Sequence, residues 1–185
     1  MIPGRRLFSR LSRAFRREDG TASIEVVLTL PIVFSMFLMS LESTILMTRQ
    51  MLLEHALDKS MRGIRLGHYP GLDHDMFKDI LCSQAHLFPD CQNVVAIELT
   101  PVPPSTWELP DISPVCVDRR STTPLNPDDH FAQGPQNQLM IVRACVTVDP
   151  FFPGVGLGLR LEQHPRDGYQ LIAASAFVNE PGAGI

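Results

Sequence analysis

Residues 20–49 read GTASIEVVLTLPIVFSMFLMSLESTILMTR, and the fold turns on their reading. A glycine stands at 20 and a glutamate, Glu25, five residues later. Between Glu25 and Arg49 lie 23 residues, with Glu42 the single charge among them. Residues 26–41 give 16 uncharged positions, and 43–48 extend the run beyond Glu42. Roughly 18 or more apolar residues can cross a hydrocarbon core about 30 Å thick. Only helix serves a lone spanning segment, because lipid offers no partner to open backbone groups. The pattern therefore predicts a transmembrane helix over 21–49. Pro31 lies one to two turns into the apolar run and lacks an amide N–H, which predicts a bend or local break there.

Residues 1–20 carry Arg5, Arg6, Arg10, Arg13, Arg16 and Arg17 against only Glu18 and Asp19. Basic flanks stay cytoplasmic, so residues 50–185 are expected outside the membrane. The arginines fit a nucleic-acid patch less well, because an apolar span follows at once. A secretory signal would place its small-residue cut site after a shorter apolar region. Here the small cluster Gly20-Thr21-Ala22-Ser23 precedes the run.

This order of basic leader, glycine, Glu at the fifth position beyond it and apolar helix resembles the type IV prepilin N-terminus. The resemblance implies a membrane peptidase that cuts after Gly20 on the cytoplasmic face, leaving Thr21 as the new N-terminus. A carboxylate near the hydrocarbon edge is costly unless paired. The ammonium freed at Thr21 would pair with Glu25 of the same or a neighbouring subunit. Alternatively, Glu25 reaches interfacial water or favours the positive end of the helix. Glu42 admits two readings, snorkelling towards the outer face or hydrogen bonding to a partner helix.

The segment is most similar to the TadE-like pseudopilins of the tight-adherence (Tad/Flp) system. There a Gly-x-x-x-x-Glu start is followed by a Leu-Pro pair and a late acidic residue; here these are Gly20, Glu25, Leu30-Pro31 and Glu42. That family often closes on a strand ending Asn/Arg-Glu-Pro, which residues 173–181, AASAFVNEP, resemble. The likeness covers both ends of the chain and not its proline-rich middle.

The whole chain has 16 basic and 20 acidic residues, net −4; without the leader's 6 and 2, residues 21–185 hold 10 against 18, net −8. An acidic exported body argues against nucleic-acid binding. About 135 residues outside the membrane can bury one core, so a single extracytoplasmic domain is expected over 50–185. Cys82, Cys91, Cys116 and Cys145 all fall there. An even count in an oxidising compartment points to disulfides. Three pairings exist, and Cys82–Cys91 with Cys116–Cys145 is the most economical. No Cys-x-x-Cys occurs and the histidines are scattered, so no metal or cofactor is expected.

Beyond Arg49, Leu52, Leu53, Ala56, Leu57, Met61 and Ile64 recur at helical spacing. They predict one rod over 23–66, about 65 Å long. A second helix is expected over 73–87, with Asp73 as N-cap and Met76, Phe77, Ile80, Leu81 and Leu87 apolar. His74 and His86 read as exposed helix residues. Strands are expected over 93–100, 138–148 and 169–178, and a short one over 114–118. Residues 101–135 hold 8 of the chain's 16 prolines and should be irregular. Trp107 should fill a pocket beneath that loop rather than anchor a partner. Residues 126–129, Asn-Pro-Asp-Asp, read as an Asx turn rather than a calcium loop. Gly154, Gly156 and Gly158 lack a phosphate-loop frame. Residues 149–167 read instead as an apolar turn or short helix packed on the sheet, the membrane or a partner. The expected class is α+β: a membrane-spanning helix continuing into a disulfide-stabilised head, with the rod and second helix on one face of an antiparallel sheet.

No Gly-x-Ser-x-Gly, His-Glu-x-x-His or paired-carboxylate frame appears, and no catalytic residue is expected. Asp73-His74-Asp75 is too local to be a triad. The resemblance implies a membrane-anchored minor pseudopilin, processed by a prepilin peptidase, that helps assemble or initiate a Tad/Flp pilus. Its implied partners are other pilins and pseudopilins, the inner-membrane assembly platform and the bilayer. Ser23, Thr29, Ser35, Ser40 and Ser43 offer small or polar spots for helix contact. The other reading is an uncleaved single-pass adhesin or sensor with an exported binding domain.

Overall fold

Thr21–Arg65 form one 45-residue helix, α1, about 67 Å long at 1.5 Å per residue. The computed structural model describes residues 21–66, 68–69, 71–85, 88–109, 115–119, 131–132, 134–161 and 168–179. Pro31 lies inside α1, and the helix continues through it. The expected break is absent, because Pro31 removes only the bond to the residue 27 carbonyl and intact turns flank it. In the lower half, Thr29 and Ser35 donate their hydroxyls back to the carbonyls of Glu25 and Ile32, and Ser40 to that of Phe37, each at 2.8 Å. These three hydroxyls, expected as spots for interhelical contact, already have partners within α1.

The two halves of α1 meet different surroundings. Ile24, Val26, Val27, Leu28, Leu30, Ile32, Val33, Phe34, Met36 and Phe37 all stand exposed. Leu53, Ala56, Leu57, Met61 and Ile64 are buried in the core of the head. Of the predicted stripe, only Leu52 is turned outward, at 41% exposure.

The second helix, α2 (His74–Gln84), starts where Asp73 accepts the Met76 amide at 2.7 Å. Phe77 and Leu81 are its buried residues; Met76, expected on the apolar side, is exposed. Leu87 and His86 lie outside the described residues. A helical turn, α3 (Cys91–Val94), precedes β1 (Val95–Val102), so the strand begins two residues later than expected. β2 (Leu139–Val148) and β3 (Tyr169–Val178) complete an antiparallel sheet of order β1-β2-β3. Between β2 and β3 lies a short helix, α4 (Leu157–Leu161).

Register assigns the faces. Val95, Ile97 and Leu99 lie opposite Val146, Ala144 and Val142. These β2 residues lie opposite Leu171, Ala173 and Ser175 in turn. Apart from Ser175 they belong to the core formed with α1 and α2. Alternation of side chains then puts Glu98, Arg143, Cys145 and Thr147 on the other face. β2 is buried on both faces, because residues 115–119 cover the far side. There Cys116 bonds Cys145, and the Thr147 hydroxyl donates to the Val117 carbonyl. Residues 115–118 are coil rather than the expected strand, held by that disulfide and hydrogen bond instead of a ladder. The second disulfide, Cys82–Cys91, ties α2 to α3, so the most economical pairing is the one formed.

Trp107 is 65% exposed and fills no pocket. Its amide closes a tight turn on the Pro103 carbonyl, and its φ of 54° is left-handed. His74 is largely covered rather than exposed, edge-on to Phe131 with ring centroids 5.6 Å apart. Residues 126–129 lie outside the described residues.

Candidate functional site

The place where α1 changes surroundings is built around Glu42. It is only 1% exposed, the first fully covered residue along the described helix. Glu42 does not snorkel to the surface. It does not reach water, and its partners are in its own chain. One carboxylate oxygen accepts the Phe151 amide at 3.0 Å. The other accepts the amides of Phe151 and Phe152, at 3.1 and 3.0 Å. A buried carboxylate needs donors, and buried amides need acceptors; each supplies what the other lacks.

The 149–158 segment is shaped for this contact. Pro150 and Pro153 bracket the two phenylalanines and bring no N–H of their own. The Val155 amide then donates to the Phe152 carbonyl at 3.3 Å, and the Gly158 amide to the Val155 carbonyl at 3.1 Å. A Cβ at Gly158 would lie 2.1 Å from the Phe152 carbonyl oxygen, so these turns close only around glycine. Gly156, at a left-handed φ of 56°, lies against Met39 of α1. The glycines that invited comparison with a phosphate loop thus serve a tight apolar turn against the helix.

Arg49, two turns above Glu42, fastens the same segment from the other side. One of its guanidinium nitrogens donates to the Asp149 carbonyl at 3.1 Å and to the Tyr169 hydroxyl at 2.8 Å. Arg119 donates to the Asp149 carboxylate and to the Thr147 carbonyl. Arg49, Arg119, Asp118 and Asp149 line a half-open cleft of about 630 Å³ with Phe88 and Asn93. Burial pushes the Tyr169 phenol above its ordinary range, and Arg49 opposes that shift by charge and hydrogen bond.

The remaining predicted positions do not converge on Glu42. Glu25 stands on the exposed lower helix, nearly five turns away, and Gly20 lies outside the described residues. Pro31 faces outward between them. Asp73 is engaged as a helix cap, and His74 bonds Asp75 at 3.1 Å. Among the described residues no group of three or more His, Cys, Asp or Glu is placed to hold a metal. Sequence reasoning missed the 150–153 Pro-Phe-Phe-Pro unit as Glu42's partner. Its available signal was two prolines flanking two apolar residues whose amides must find an acceptor.

α1 is the one helix among the described residues long and apolar enough to cross a membrane. No family model, curated protein or solved structure matches the chain.

Proposed function

We propose that this chain is a membrane-anchored minor pseudopilin that takes part in assembling or initiating a Tad/Flp-type pilus, with a structural rather than catalytic role. The observation that carries the reading is the division of α1. An exposed, uncharged apolar stretch below Glu42 is continuous with a helix that forms the core of an α+β head above it. Such a rod anchors in lipid by its lower half and presents the head on one side. The residues at 1–25 add direction: basic leader, Gly20, then Glu25. Trimming after Gly20 would create an ammonium at Thr21, one helical turn from Glu25 and on the same face. The charge at the hydrocarbon edge is then paired, within one subunit or with a neighbour. In this reading the N-terminus is cytoplasmic, the anchor is in the inner membrane and the head is periplasmic. Its partners are the prepilin peptidase, the assembly platform and other pilins.

The test is the N-terminus of protein extracted from membranes of cells carrying the pilus machinery. A first residue of Thr21, and full-length precursor accumulating in a Gly20→Leu variant, are expected. An intact leader in the wild type would overturn processing and favour the uncleaved adhesin or sensor.

A further inference from the structure

The loop bound by Glu42 has a second property. Phe151 is 61% exposed and Leu159 52%. Leu157 is also exposed. These side chains leave the head beside Met39 and Glu42, at the upper end of the unbroken exposed apolar run of α1; farther up, Met47, Met51 and Leu52 are exposed as well. They extend that surface sideways.

Depth follows from helix geometry. Seventeen residues separate Glu25 from Glu42, about 25 Å at 1.5 Å per residue, against a hydrocarbon core about 30 Å thick. With Glu25 at the inner edge, Glu42 lies just beneath the outer edge, and the 149–161 loop lies at the same level. Exposed Phe and Leu are favourable at that depth, whereas open amides are not. At six positions the backbone of the loop meets this condition. Pro150 and Pro153 have no N–H, Phe151 and Phe152 donate to Glu42, and Val155 and Gly158 donate within the turn. Above it Arg49 and Tyr169 form a polar pair suited to the headgroup layer.

We infer that residues 149–161 form a foot inserted into the outer interface of the lipid bilayer, a second membrane contact beside α1. Glu42 fastens the foot to the helix. The foot fixes the depth of the anchor and the rotation of the head about it, since a lone helix is free to turn. The inference rests on the anchoring of α1 proposed above.

Trp107 is the single tryptophan and stands on the head, so single-Trp reporters are simple to make. The full chain is reconstituted in phosphatidylcholine vesicles containing lipids brominated near the headgroup or near the chain end. Phe34→Trp and Phe151→Trp are each placed in a Trp107→Phe background, with Leu159→Trp as a second reporter of the foot. An interfacial apolar segment lies roughly 5–10 Å into the headgroup and acyl boundary. The 151 and 159 reporters should therefore be blue-shifted and quenched more by shallow than by deep bromine. The 34 reporter should be quenched most by deep bromine, and native Trp107 by neither. Quenching at 34 with none at 151 and 159 would overturn the foot and leave the anchor standing, as expected if a protein partner covers the loop instead. No quenching at 34 would overturn the anchor and the foot together.

Discussion

Glu42 and Phe151 are 109 residues apart in the chain, and both carboxylate oxygens of the first accept the amide of the second. Hydrogen bonds to a charged group contribute about 1.5–3 kcal/mol each. Glu42→Ala should release the loop and destabilise the head by about 2–4 kcal/mol, because two buried donors lose their acceptor. Glu42→Gln keeps one acceptor oxygen and should lose about half as much. Hydrogen exchange at the Phe151 and Phe152 amides in detergent reports this directly. Unchanged protection in Glu42→Ala would show that the carboxylate does not hold the loop.

The two glycines of the foot should rank in a definite order. A methyl at Gly156 meets the flexible Met39 side chain, which can swing aside. The left-handed φ then accounts for a loss of about 1–2 kcal/mol. A methyl at Gly158 meets the Phe152 carbonyl and backbone carbon, which cannot move without opening the turn. Gly158→Ala should therefore unprotect the 151 and 152 amides more than Gly156→Ala does. Equal effects, or the reverse order, would contradict the packing described here.

These contacts also show where sequence reading succeeds. The extents of α1 and β3 were legible because both show locally: a long apolar run joined to a 3.6-residue stripe, and an uncharged run over Tyr169–Val178 that starts just after Gly168 and stops short of Pro181. The disulfide pairing was legible because short loops close most readily. The partner of Glu42 was not, since a backbone amide leaves no mark of its own in a sequence and the contact is long-range. The α3 turn was missed for a related reason. Cys91 is drawn towards Cys82, and that constraint holds residues 91–94 helical against the strand propensity of Val94. Trp107 was misplaced because large aromatics are ordinarily buried, whereas here a left-handed turn residue carries the ring outside. At the far end, Asn179 was legible only as part of a resemblance. In the structure its amide donates to the Gln138 carbonyl at 3.0 Å and its side chain to the Gly134 carbonyl at 2.9 Å, fastening the loop that enters β2.

The two disulfides should differ in weight. They span sequence separations of 9 and 29. On the chain-entropy account the longer loop gives about 3.5 kcal/mol and the shorter about 2.5. Replacing Cys116 and Cys145 together by Ser should therefore lower stability about 1 kcal/mol more than replacing Cys82 and Cys91. Paired denaturant titrations of the two double variants measure the difference. A larger loss from the 82–91 pair would mean that the α2–α3 link holds the native head itself, beyond restricting the unfolded chain.

The Tyr169 phenol gives a pH signature. Burial raises its ionisation above the ordinary 10.0, the Glu42 and Asp149 charges act in the same direction, and Arg49 opposes. Folding therefore retains a proton that the unfolded chain releases. The stability gained this way is present in full below pH 10 and is lost as pH rises through the higher folded-state value. With Tyr69→Phe, Tyr169 is the remaining one of the 2 tyrosines, and its phenolate absorbance band should appear only above pH 10. Titration at or below the ordinary value would mean that the ring is hydrated, or that Arg49 outweighs its burial.

Across the sheet, Arg143 donates to Glu98 Oε1 at 2.6 Å, and their side chains are only 10% and 12% exposed. They stand directly opposite in the β1–β2 register. Removing one partner of a buried pair breaks the contact while the other charge stays buried, which costs about 3–5 kcal/mol. Replacing both by apolar residues of similar size removes the two desolvation penalties together and is often close to neutral. Glu98→Met and Arg143→Met should therefore each destabilise the head strongly, and the double variant should recover most of the loss. A double-mutant cycle in detergent measures the coupling. Additive losses would show that the pair is effectively solvated, and that residues covering the far face of β2 leave water a path to it.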